Sequence, residues 1–384
     1  MATALVRVPA APAPTGLRTV AVAFPGDSRA ATTWSGTPAG LTAGLEAEGL
    51  EVHTISTLAH GALEELAVDL VAPAHLVRSR GDLRACRRAA RTGRLVGGLR
   101  TRALARILPE VDAVVQIGTG YQVPDGVPFV TFEDMTIVQA AETENPQWRA
   151  LSRRGLRARI DRQRRAYERA RGCCLTTPWA AESVVRDYGI DPAKVHVVGI
   201  GRNRTPEPPA ERDWSVPRFL FVGRHWEPKN GPLVLRAFGE LRRRIPEARL
   251  DLVGAHPRLD EPGVTGHGLL ELGDPAHRGE LERLYAEATC FVLPSRYEAV
   301  GIVFAEAAAA GIASIGTTAG GGAGVIGEAG TVVDPDDEAG LVAAMLELAD
   351  PATAERLGAA ALARAPLFTW TAVARRVLAA LAFD

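Results

Sequence analysis

Short apolar runs that favour β-strands alternate with helical segments along both halves of the chain, and this alternation constrains the fold most strongly. The predicted strands cover residues 17–24, 51–55, 111–117, 129–132, 172–176 and 194–198 in the first half, and 218–222, 249–254, 290–293 and 313–317 in the second. Strands that alternate with helices in this way form parallel sheets with helices on both faces. We therefore predict an α/β protein with two doubly wound, Rossmann-like domains.

A proline-rich, charged segment at residues 205–217 separates the two halves and has the composition of a linker between domains. We predict a flexible tail at residues 1–16, a first domain at 17–204, the linker at 205–217, a second domain at 218–367 and a final helix at 368–384. The tail is rich in proline and alanine and lacks the apolar core of a signal peptide.

The composition limits the class of protein. The 384 residues are 47% hydrophobic and carry a formal net charge of −1, which indicates a globular chain and disfavours a nucleic-acid partner. The four cysteines show neither CxxC spacing nor a disulfide framework, so we expect reduced thiols and a cytoplasmic location. No apolar run approaches the roughly 20 residues that span a membrane. The sequence leaves the oligomeric state open.

Residues 290–311, CFVLPSRYEAVGIVFAEAAAAG, combine a predicted strand, a loop that carries Glu298 and an alanine-rich helix that carries Glu306. At the start of this helix the free N–H groups of residues 299–301 and the positive end of the helix dipole favour an anion, and Gly301 permits its close approach. The segment therefore suits a phosphorylated ligand that also has hydroxyl groups. The alternative is that Glu298 is a solvated loop acid and Glu306 a helix-surface residue.

The loop GRHWEPKNG at residues 223–231 follows a predicted strand and carries two cations five positions apart, Arg224 and Lys229. A guanidinium fork and an ammonium group on one loop can converge on a diphosphate. Ordinary surface charge is the alternative interpretation. Lysine is rare in this chain, with Lys194 as the other one, which favours a function for Lys229.

Four segments together resemble the retaining glycosyltransferases of family four, which have the GT-B fold: PSRYEAVGIVFAEAAAAG, GRHWEPKNG, WAAESVVRDYGIDPAKVHVVGIG and GTVVDP. The resemblance implies an acceptor-side N-terminal domain and a nucleotide-sugar-binding C-terminal domain that face across a cleft, with the final helix crossing back. It implies catalytic roles for Arg224 and Lys229 on the diphosphate and for Glu298 on the sugar hydroxyls. Glu306 is expected to bind the ribose. The other implied donor-binding residues are Gly223, Ala299, Val300 and Gly301.

Two N-terminal positions match this family less closely. The run WSGT at residues 34–37 lies where the family has a glycine-rich loop facing the donor phosphates, so Ser35, Gly36 and Thr37 are expected to contact the donor. The usual Gly-Gly pair is absent, and a plain surface loop is the alternative. At Glu133 and Asp134 the family often has a histidine that contacts the donor sugar. Either acid takes over this role, with Asp134 as our catalytic candidate, or the acceptor site has diverged, or an acid caps a helix.

The resemblance implies transfer of a sugar from a nucleoside-diphosphate donor to an acceptor hydroxyl, with retained anomeric configuration and without a metal or other cofactor. UDP-sugars such as UDP-N-acetylglucosamine or UDP-glucose are the favoured donors, before GDP-mannose. A small acceptor such as an aminocyclitol or secondary-metabolite core is favoured over a membrane lipid, because the sequence shows no obvious amphipathic apolar stripe. The alternatives are a GDP-mannose-dependent mannosyltransferase acting on a lipid or glycan, a nucleotide-sugar-binding module and a nucleotide-sugar 2-epimerase.

Arginines cluster at residues 78–106 and 149–171. One interpretation is a basic face toward an anionic membrane or a phosphorylated acceptor, which would make the protein peripheral to the membrane. Interleaved acids such as Asp82, Asp161 and Glu168 favour the other interpretation, a solvated helix surface.

Overall fold

The structure, a computed structural model, describes residues 16–30, 33–59, 61–143 and 145–382. It separates into two compact units. The first consists of Met1–Gly201 together with Trp370–Asp384, and the second of Arg202–Thr369. The predicted tail at residues 1–16 lies outside the described residues except for Gly16.

Within the described residues, the sheet of the first unit has six parallel strands. They are β1 (Thr19–Phe24), β2 (Glu51–Ser56), β3 (Ala113–Ile117), β4 (Phe129–Glu133), β5 (Gly172–Leu175) and β6 (Val195–Val197). Their order is β2-β1-β3-β4-β5-β6, so the chain reverses its direction of travel across the sheet between β1 and β3. Every residue of β3 and β4 is buried, as expected for parallel strands with helices on both faces.

Helices separate most of these strands. They are α1 (Thr37–Ala47), α2 (Gly61–Val71), α3 (Leu83–Arg91), α4 (Arg94–Ile107), α5 (Ile137–Glu142), α6 (Pro146–Arg149), α7 (Arg153–Arg169) and α8 (Pro178–Tyr188).

The second unit repeats this architecture. Its parallel strands are β7 (Arg218–His225), β8 (Arg249–Ala255), β9 (Val264–Gly268), β10 (Cys290–Val292), β11 (Ala313–Thr317) and β12 (Gly330–Val333). Their order is β12-β11-β10-β7-β8-β9, which places the reversal between β7 and β10. The helices are α9 (Gly231–Arg244), α10 (Pro275–Glu287), α11 (Ile302–Ala309), α12 (Gly322–Ile326), α13 (Glu338–Leu348) and α14 (Pro351–Arg364).

The last helix, α15 (Trp370–Leu381), packs against α1 in the first unit. The two helices approach so closely that a Cβ atom at Gly44 would lie 2.3 Å from the carbonyl oxygen of Trp370. The apolar side chains that α15 buries are those of Val373, Ala374, Val377, Leu378, Ala380 and Leu381. This helix therefore completes the core of the first unit.

Two residues occupy elements that differ from the prediction. Thr37, expected in a loop, is the first residue of α1. Arg224, also expected in a loop, lies in β7, because the strand continues past an irregularity in its pairing to His225.

The solvated helix surface predicted for the arginine clusters is wrong for two arginines of α7. Arg159 and Arg162 are only 5% and 8% exposed. Arg159 donates to the carbonyl of Ala89 at 2.6 Å, and Arg162 donates to the carbonyls of Thr92 and Gly93 at 2.5 and 2.9 Å. Burial lowers the pKa of each guanidinium to about 10. Both arginines satisfy carbonyl groups at the C-terminal end of α3, where a helix lacks internal donors.

The surface of α2 contradicts the expectation that the chain has no amphipathic apolar stripe. Leu63, Leu66 and Leu70 lie on one side of this helix and are 58%, 64% and 76% exposed. Among the described residues no single helix has the length and apolar character to cross a membrane. The bent pair Pro351–Phe368 and Trp370–Leu381 meets that test when the two helices are taken together, by length and composition only.

Candidate active site

The reversal between β7 and β10 creates the crevice at which open α/β sheets bind ligands, outside the carboxyl ends of the strands. Arg224 is the penultimate residue of β7, and Lys229 follows in the turn before α9. Glu298 lies in the segment between β10 and α11. Strand order therefore brings together two loops that are about 70 residues apart in the sequence.

Lys229 and Glu298 are in direct contact across this crevice. The Lys229 Nζ atom lies 2.5 Å from Glu298 Oε2, and Ser295 Oγ donates to the same oxygen at 3.1 Å. The side chains are 27% and 12% exposed, so the ion pair is partly shielded from water. Arg224 is exposed and has no ion-pair partner among the described residues. The structure thus joins one predicted cation to the predicted acid and leaves the other cation open to solvent.

Asn230 binds the turn that carries Lys229 to two other segments of the second unit, a role that the sequence analysis missed. Its side chain is buried, and Nδ2 donates to the carbonyls of Pro294 at 3.1 Å and Pro335 at 2.7 Å. Its backbone is left-handed, with φ of 62°, a conformation that asparagine tolerates better than most residues. An asparagine directly before a helix is the sequence signal for this turn. Asn230 therefore holds the segments that follow β7, β10 and β12 together.

The start of α11 has the features expected of an anion site. Gly301 is the N-cap residue with φ of 78°, and no side chain caps the helix. The preceding loop is fixed through its backbone, because Glu298 N–H donates to the Ala319 carbonyl at 2.9 Å and Gly321 N–H donates to the Glu298 carbonyl at 2.8 Å. The first N–H groups of the helix are left without a side-chain cap beside Glu298.

Glu306 is not a helix-surface residue, because it is only 3% exposed. Arg204 forms a fork on its carboxylate, with Nε 3.3 Å from Oε1 and Nη2 bound to Oε2. Tyr285 also donates its hydroxyl to Oε2, at 3.3 Å. Burial is the largest single effect and lowers the pKa of Arg204, but the charge of Glu306, Tyr285 and the hydrogen bond to Glu306 together raise the pKa of the guanidinium overall. The acid expected to bind ribose is thus already engaged inside the protein.

In the first unit, the segment before α1 is backbone-strained. Trp34, Ser35 and Gly36 have successive φ values of 42°, 54° and 78°, and the first two are unusual for residues with side chains. Trp34 stacks on Phe24 at the end of β1, with ring centroids 6.2 Å apart. The segment leads into α1, whose N-terminus has no side-chain cap. Strain of this kind concentrates at functional sites, and the role of the segment stays a prediction.

Glu133 ends β4 and is buried in a hydrogen-bond network. Its carboxylate accepts from Thr119 Oγ1 at 2.8 Å, from Gln163 Nε2 at 2.9 Å and from the Tyr167 hydroxyl. Burial raises the pKa of this carboxyl to about 7, although the three donors oppose the shift. The adjacent Asp134 is half-buried.

Neither acid caps α5, so the helix-capping alternative is wrong. Thr136 caps this helix, and its hydroxyl and Gln139 form a reciprocal capping box. Glu133 is enclosed by side-chain donors, which leaves Asp134 as the more accessible acid at the end of β4.

Comparison with known proteins finds a family match within the second unit. Residues 216–350 match the family model described as glycosyl transferases group 1. This segment, about a third of the chain, is therefore similar to the glycosyl transferases of group 1. The resemblance inferred from the sequence motifs is thereby confirmed.

Curated relatives match the chain over part of their length. A D-inositol 3-phosphate glycosyltransferase of Nocardioides sp. is 31% identical over 58% of this chain and 55% of the relative. A GDP-mannose-dependent alpha-(1-6)-phosphatidylinositol monomannoside mannosyltransferase of Mycolicibacterium smegmatis is 35% identical over 34% of this chain and 38% of the relative. A mannosylfructose-phosphate synthase of Agrobacterium fabrum is 33% identical over 53% and 51%. The chain thus spans about half or less of the length of these relatives.

Solved structures resemble almost the whole chain. Sucrose-phosphate synthase from Thermosynechococcus elongatus has a TM-score of 0.63 and 20% identity, and covers 93% of this chain and 96% of its own. WaaG, a glycosyltransferase involved in lipopolysaccharide biosynthesis, has a TM-score of 0.61 and 16% identity over 94% and 99%. At these identities the likeness concerns the fold alone. It confirms the predicted α/β, GT-B fold class.

The predicted site residues divide between the two units. Gly223, Arg224, Lys229, Ala299, Val300, Gly301, Glu298 and Glu306 lie in the matched segment. Ser35, Gly36, Thr37 and Asp134 lie in the first unit, outside that segment. The roles of both sets stay predictions.

Proposed function

We propose that this chain is a glycosyltransferase that moves a sugar from a nucleoside-diphosphate donor to a hydroxyl of a sugar or polyol, with retention of anomeric configuration. The observation that carries the proposal is the contact between Lys229 and Glu298 at the reversal point of the second sheet, beside the uncapped start of α11. The match of residues 216–350 to the group 1 family model and the glycosyltransferase names of the relatives support the reaction class.

In the proposed reaction the bond between the anomeric carbon and the diphosphate oxygen breaks while the acceptor oxygen bonds to the same carbon on the same face. Negative charge develops on the leaving diphosphate, and Lys229, Arg224 and the N–H groups at the start of α11 stabilise it. The acceptor proton passes to the leaving phosphate. Because these cationic and N–H groups supply the charge stabilisation, the proposal requires no metal.

The remaining residues keep the roles that the family resemblance implies. Glu298 binds hydroxyls of the donor sugar, and Gly223 allows the chain to approach the diphosphate. A Cβ atom at Gly223 would lie 3.0 Å from Cγ of Lys229, so a glycine here also leaves room for the lysine stem. Ser35, Gly36, Thr37 and Asp134 are proposed to contact the donor.

Donor and acceptor are narrower proposals. We favour UDP-N-acetylglucosamine or UDP-glucose as donor, with GDP-mannose as the alternative that the GDP-mannose-dependent relative supports. D-inositol 3-phosphate and mannosylfructose-phosphate in the names of relatives support a phosphorylated polyol or sugar as acceptor. The exposed leucines of α2 remove the argument against a lipid, so lipid acceptors belong in the same test.

The test is a thermal-shift screen of UDP, GDP and their sugars, followed by transfer assays with polyol phosphates, sugar phosphates and anionic lipid vesicles. A donor that binds the native state raises the melting temperature, and a glycoside product with retained configuration supports the proposal. Donor binding without any turnover would indicate a nucleotide-sugar-binding module instead. Release of free nucleotide without a glycoside would indicate a 2-epimerase, and no response to any nucleotide would refute the proposal.

A further inference from the structure

Arg204 and Glu306 form a closed ion pair at the acid that is expected to bind ribose. Arg204 lies at the start of the second unit, two residues after its first residue, and Glu306 lies in the second turn of α11. The Glu306 side chain is 4% exposed and that of Arg204 is 20% exposed. The guanidinium also lies over the ring of Tyr285, 5.7 Å from its centroid. Arg204 is therefore held on two sides, by a charge and by an aromatic face.

The contacts leave the carboxylate with little free acceptor capacity. A carboxylate offers about four acceptor positions, two on each oxygen. Oε2 accepts from Arg204 Nη2 and from the Tyr285 hydroxyl, which fills it. Oε1 accepts from Arg204 Nε alone among the described donors, at 3.3 Å. One position, on Oε1, is left for a ligand.

One nitrogen of the Arg204 guanidinium also lacks a hydrogen-bond partner. Its Nη1 atom is buried and has no hydrogen-bond partner among the described residues. A buried donor without an acceptor is unfavourable unless a water or a ligand oxygen completes it. Because the fork uses Nε and Nη2, Nη1 lies on the side of the guanidinium away from the carboxylate. The open position at Glu306 is therefore an acceptor on Oε1, which suits a hydroxyl donor rather than an anion.

Displacing Arg204 to free the whole carboxylate would be costly. Separating a buried ion pair leaves a charge without its partner, and this costs more than a single hydrogen bond returns. A ligand that uses the open position on Oε1 avoids that cost.

We propose that Arg204 is a positioning residue for nucleotide recognition: it stays bound to Glu306, orients the carboxylate and restricts it to a single ribose hydroxyl of the nucleoside diphosphate. This inference rests on the proposed function, because it assumes a nucleotide donor. Its distinctive consequence is that only one of the two ribose hydroxyls contributes strongly to affinity.

The experiment measures the binding of UDP and GDP and of their 2′-deoxy and 3′-deoxy analogues by calorimetry, with inorganic pyrophosphate as a probe that lacks ribose. For the wild-type chain we expect one deoxy analogue to bind at least ~10-fold more weakly than the parent, as loss of a hydrogen bond to a charged group predicts, and the other to bind almost normally. In Arg204→Gln and Glu306→Gln the ratio of the affinities for the two deoxy analogues falls toward one. Pyrophosphate is expected to bind these variants as it binds the wild type. If Arg204→Gln fails to fold, Arg204→Lys takes its place in this comparison, because lysine keeps the positive charge but cannot form the two-nitrogen fork on Glu306.

Arg212→Lys is the matched control, because Arg212 lies in the same segment and donates only to backbone carbonyls, those of Tyr285, Ala288 and Ala310. It is expected to change the melting temperature but not the discrimination. If the Arg204 variants discriminate as the wild type does, or if both deoxy analogues bind weakly, the inference is wrong while the proposed function stands. If wild-type protein binds neither UDP nor GDP, both are wrong.

Discussion

At the scale of single residues, the ion pair of Lys229 and Glu298 is the contact on which the proposed chemistry depends. The two side chains come from loops after different strands and meet at 2.5 Å. Each side chain neutralises the other's charge. In the proposed function, a diphosphate would bind Lys229 and the sugar hydroxyls would bind Glu298.

We expect Lys229→Ala and Glu298→Ala each to lower turnover by ~100-fold or more, as removal of a transition-state contact does. Because the side chains are in contact, the double variant should lose less than the product of the two single effects. Steady-state assays with the donor identified by screening measure this. Arg296→Ala is the control: Arg296 lies in the same loop, is exposed and pairs with Asp336, so near-normal activity is expected. Near-normal activity of either site variant would show that the site is misplaced.

Glu133 makes the stability of the first unit depend on pH. Its pKa is raised from 4.5 to about 7, chiefly by burial, so the folded protein holds this proton more tightly than the unfolded chain. Its contribution to stability is therefore fully present below about pH 4.5 and is lost as the pH rises toward 7. The titratable groups whose charges act on it or respond to it are Asp134, Tyr121, Tyr167, Cys173 and Tyr188.

Denaturant unfolding between pH 5 and pH 8 tests this. In the wild type, the pKa shift of Glu133 lowers the free energy of unfolding across this range by on the order of 3 kcal/mol at most. We expect this decrease to be smaller in Glu133→Gln. Glu168→Gln, at an exposed position of α7, should leave the decline unchanged. An identical pH dependence in Glu133→Gln and wild type would contradict the expectation.

At the scale of secondary-structure elements, α7 shows how buried arginines join helices. Its Arg162 donates to the carbonyls of Thr92 and Gly93, between the end of α3 and the start of α4. A Cβ atom at Gly97 in α4 would lie 1.9 Å from Arg162 Nη1, so the guanidinium occupies space that only a glycine leaves open. The Arg162 side chain thus provides hydrogen bonds to the carbonyls at the end of α3, a role that a capping residue next to the helix often has.

We expect Arg162→Met to destabilise the first unit by about 2 kcal/mol or more, because methionine fills the space but leaves the carbonyls without donors. Arg157→Met changes an exposed arginine of the same helix and should have an effect within about 0.5 kcal/mol. The free energies of unfolding in urea measure both changes. Equal stabilities of the two variants would show that the carbonyls are satisfied in another way.

At the scale of the whole molecule, the chain builds two sheet units and then returns to the first. Helix α15 follows the second unit in sequence, yet its contacts are with α1, β4 and β5. The core of the first unit is therefore complete only when the last residues of the chain have been made.

Removal of residues 370–384 should unfold the first unit and leave the second folded. The buried valine and leucine side chains of α15 (Val373, Val377, Leu378 and Leu381) contribute roughly 1.5–3 kcal/mol each, a sum comparable with the whole net stability of a domain. Limited proteolysis should then spare residues 202–369 and degrade the rest. Arg375→Ala, which removes only the exposed end of the ion pair with Glu48, should leave the digestion pattern unchanged. A protease-resistant first unit in the truncated chain would contradict this prediction.

Much of the fold follows from local pattern. Buried parallel strands appear as continuous apolar runs, so ten strands were found within a few residues, and the alternation with helices predicted the α/β class. The strands at the two edges of the second sheet, β9 and β12, were not predicted. The spacing in GRHWEPKNG and PSRYEAVGIVFAEAAAAG located Lys229 and Glu298. The start of α1 at Thr37 was missed because no capping side chain precedes it. The role of Asn230 was missed because its two acceptors lie far along the chain.

The sequence by itself determined the type and order of the elements, because helical and strand periodicity are properties of neighbouring residues. Only the tertiary structure decided the state of the charged side chains. Arg157 and Arg159 are alike in the sequence, yet one is exposed and the other buried. In the sequence Glu306 resembles a surface acid, but in the fold it is paired with Arg204, which lies 102 residues away in the chain. The physical reason is that burial and pairing set the energy of a charge, and both arise from segments that meet only in the folded chain.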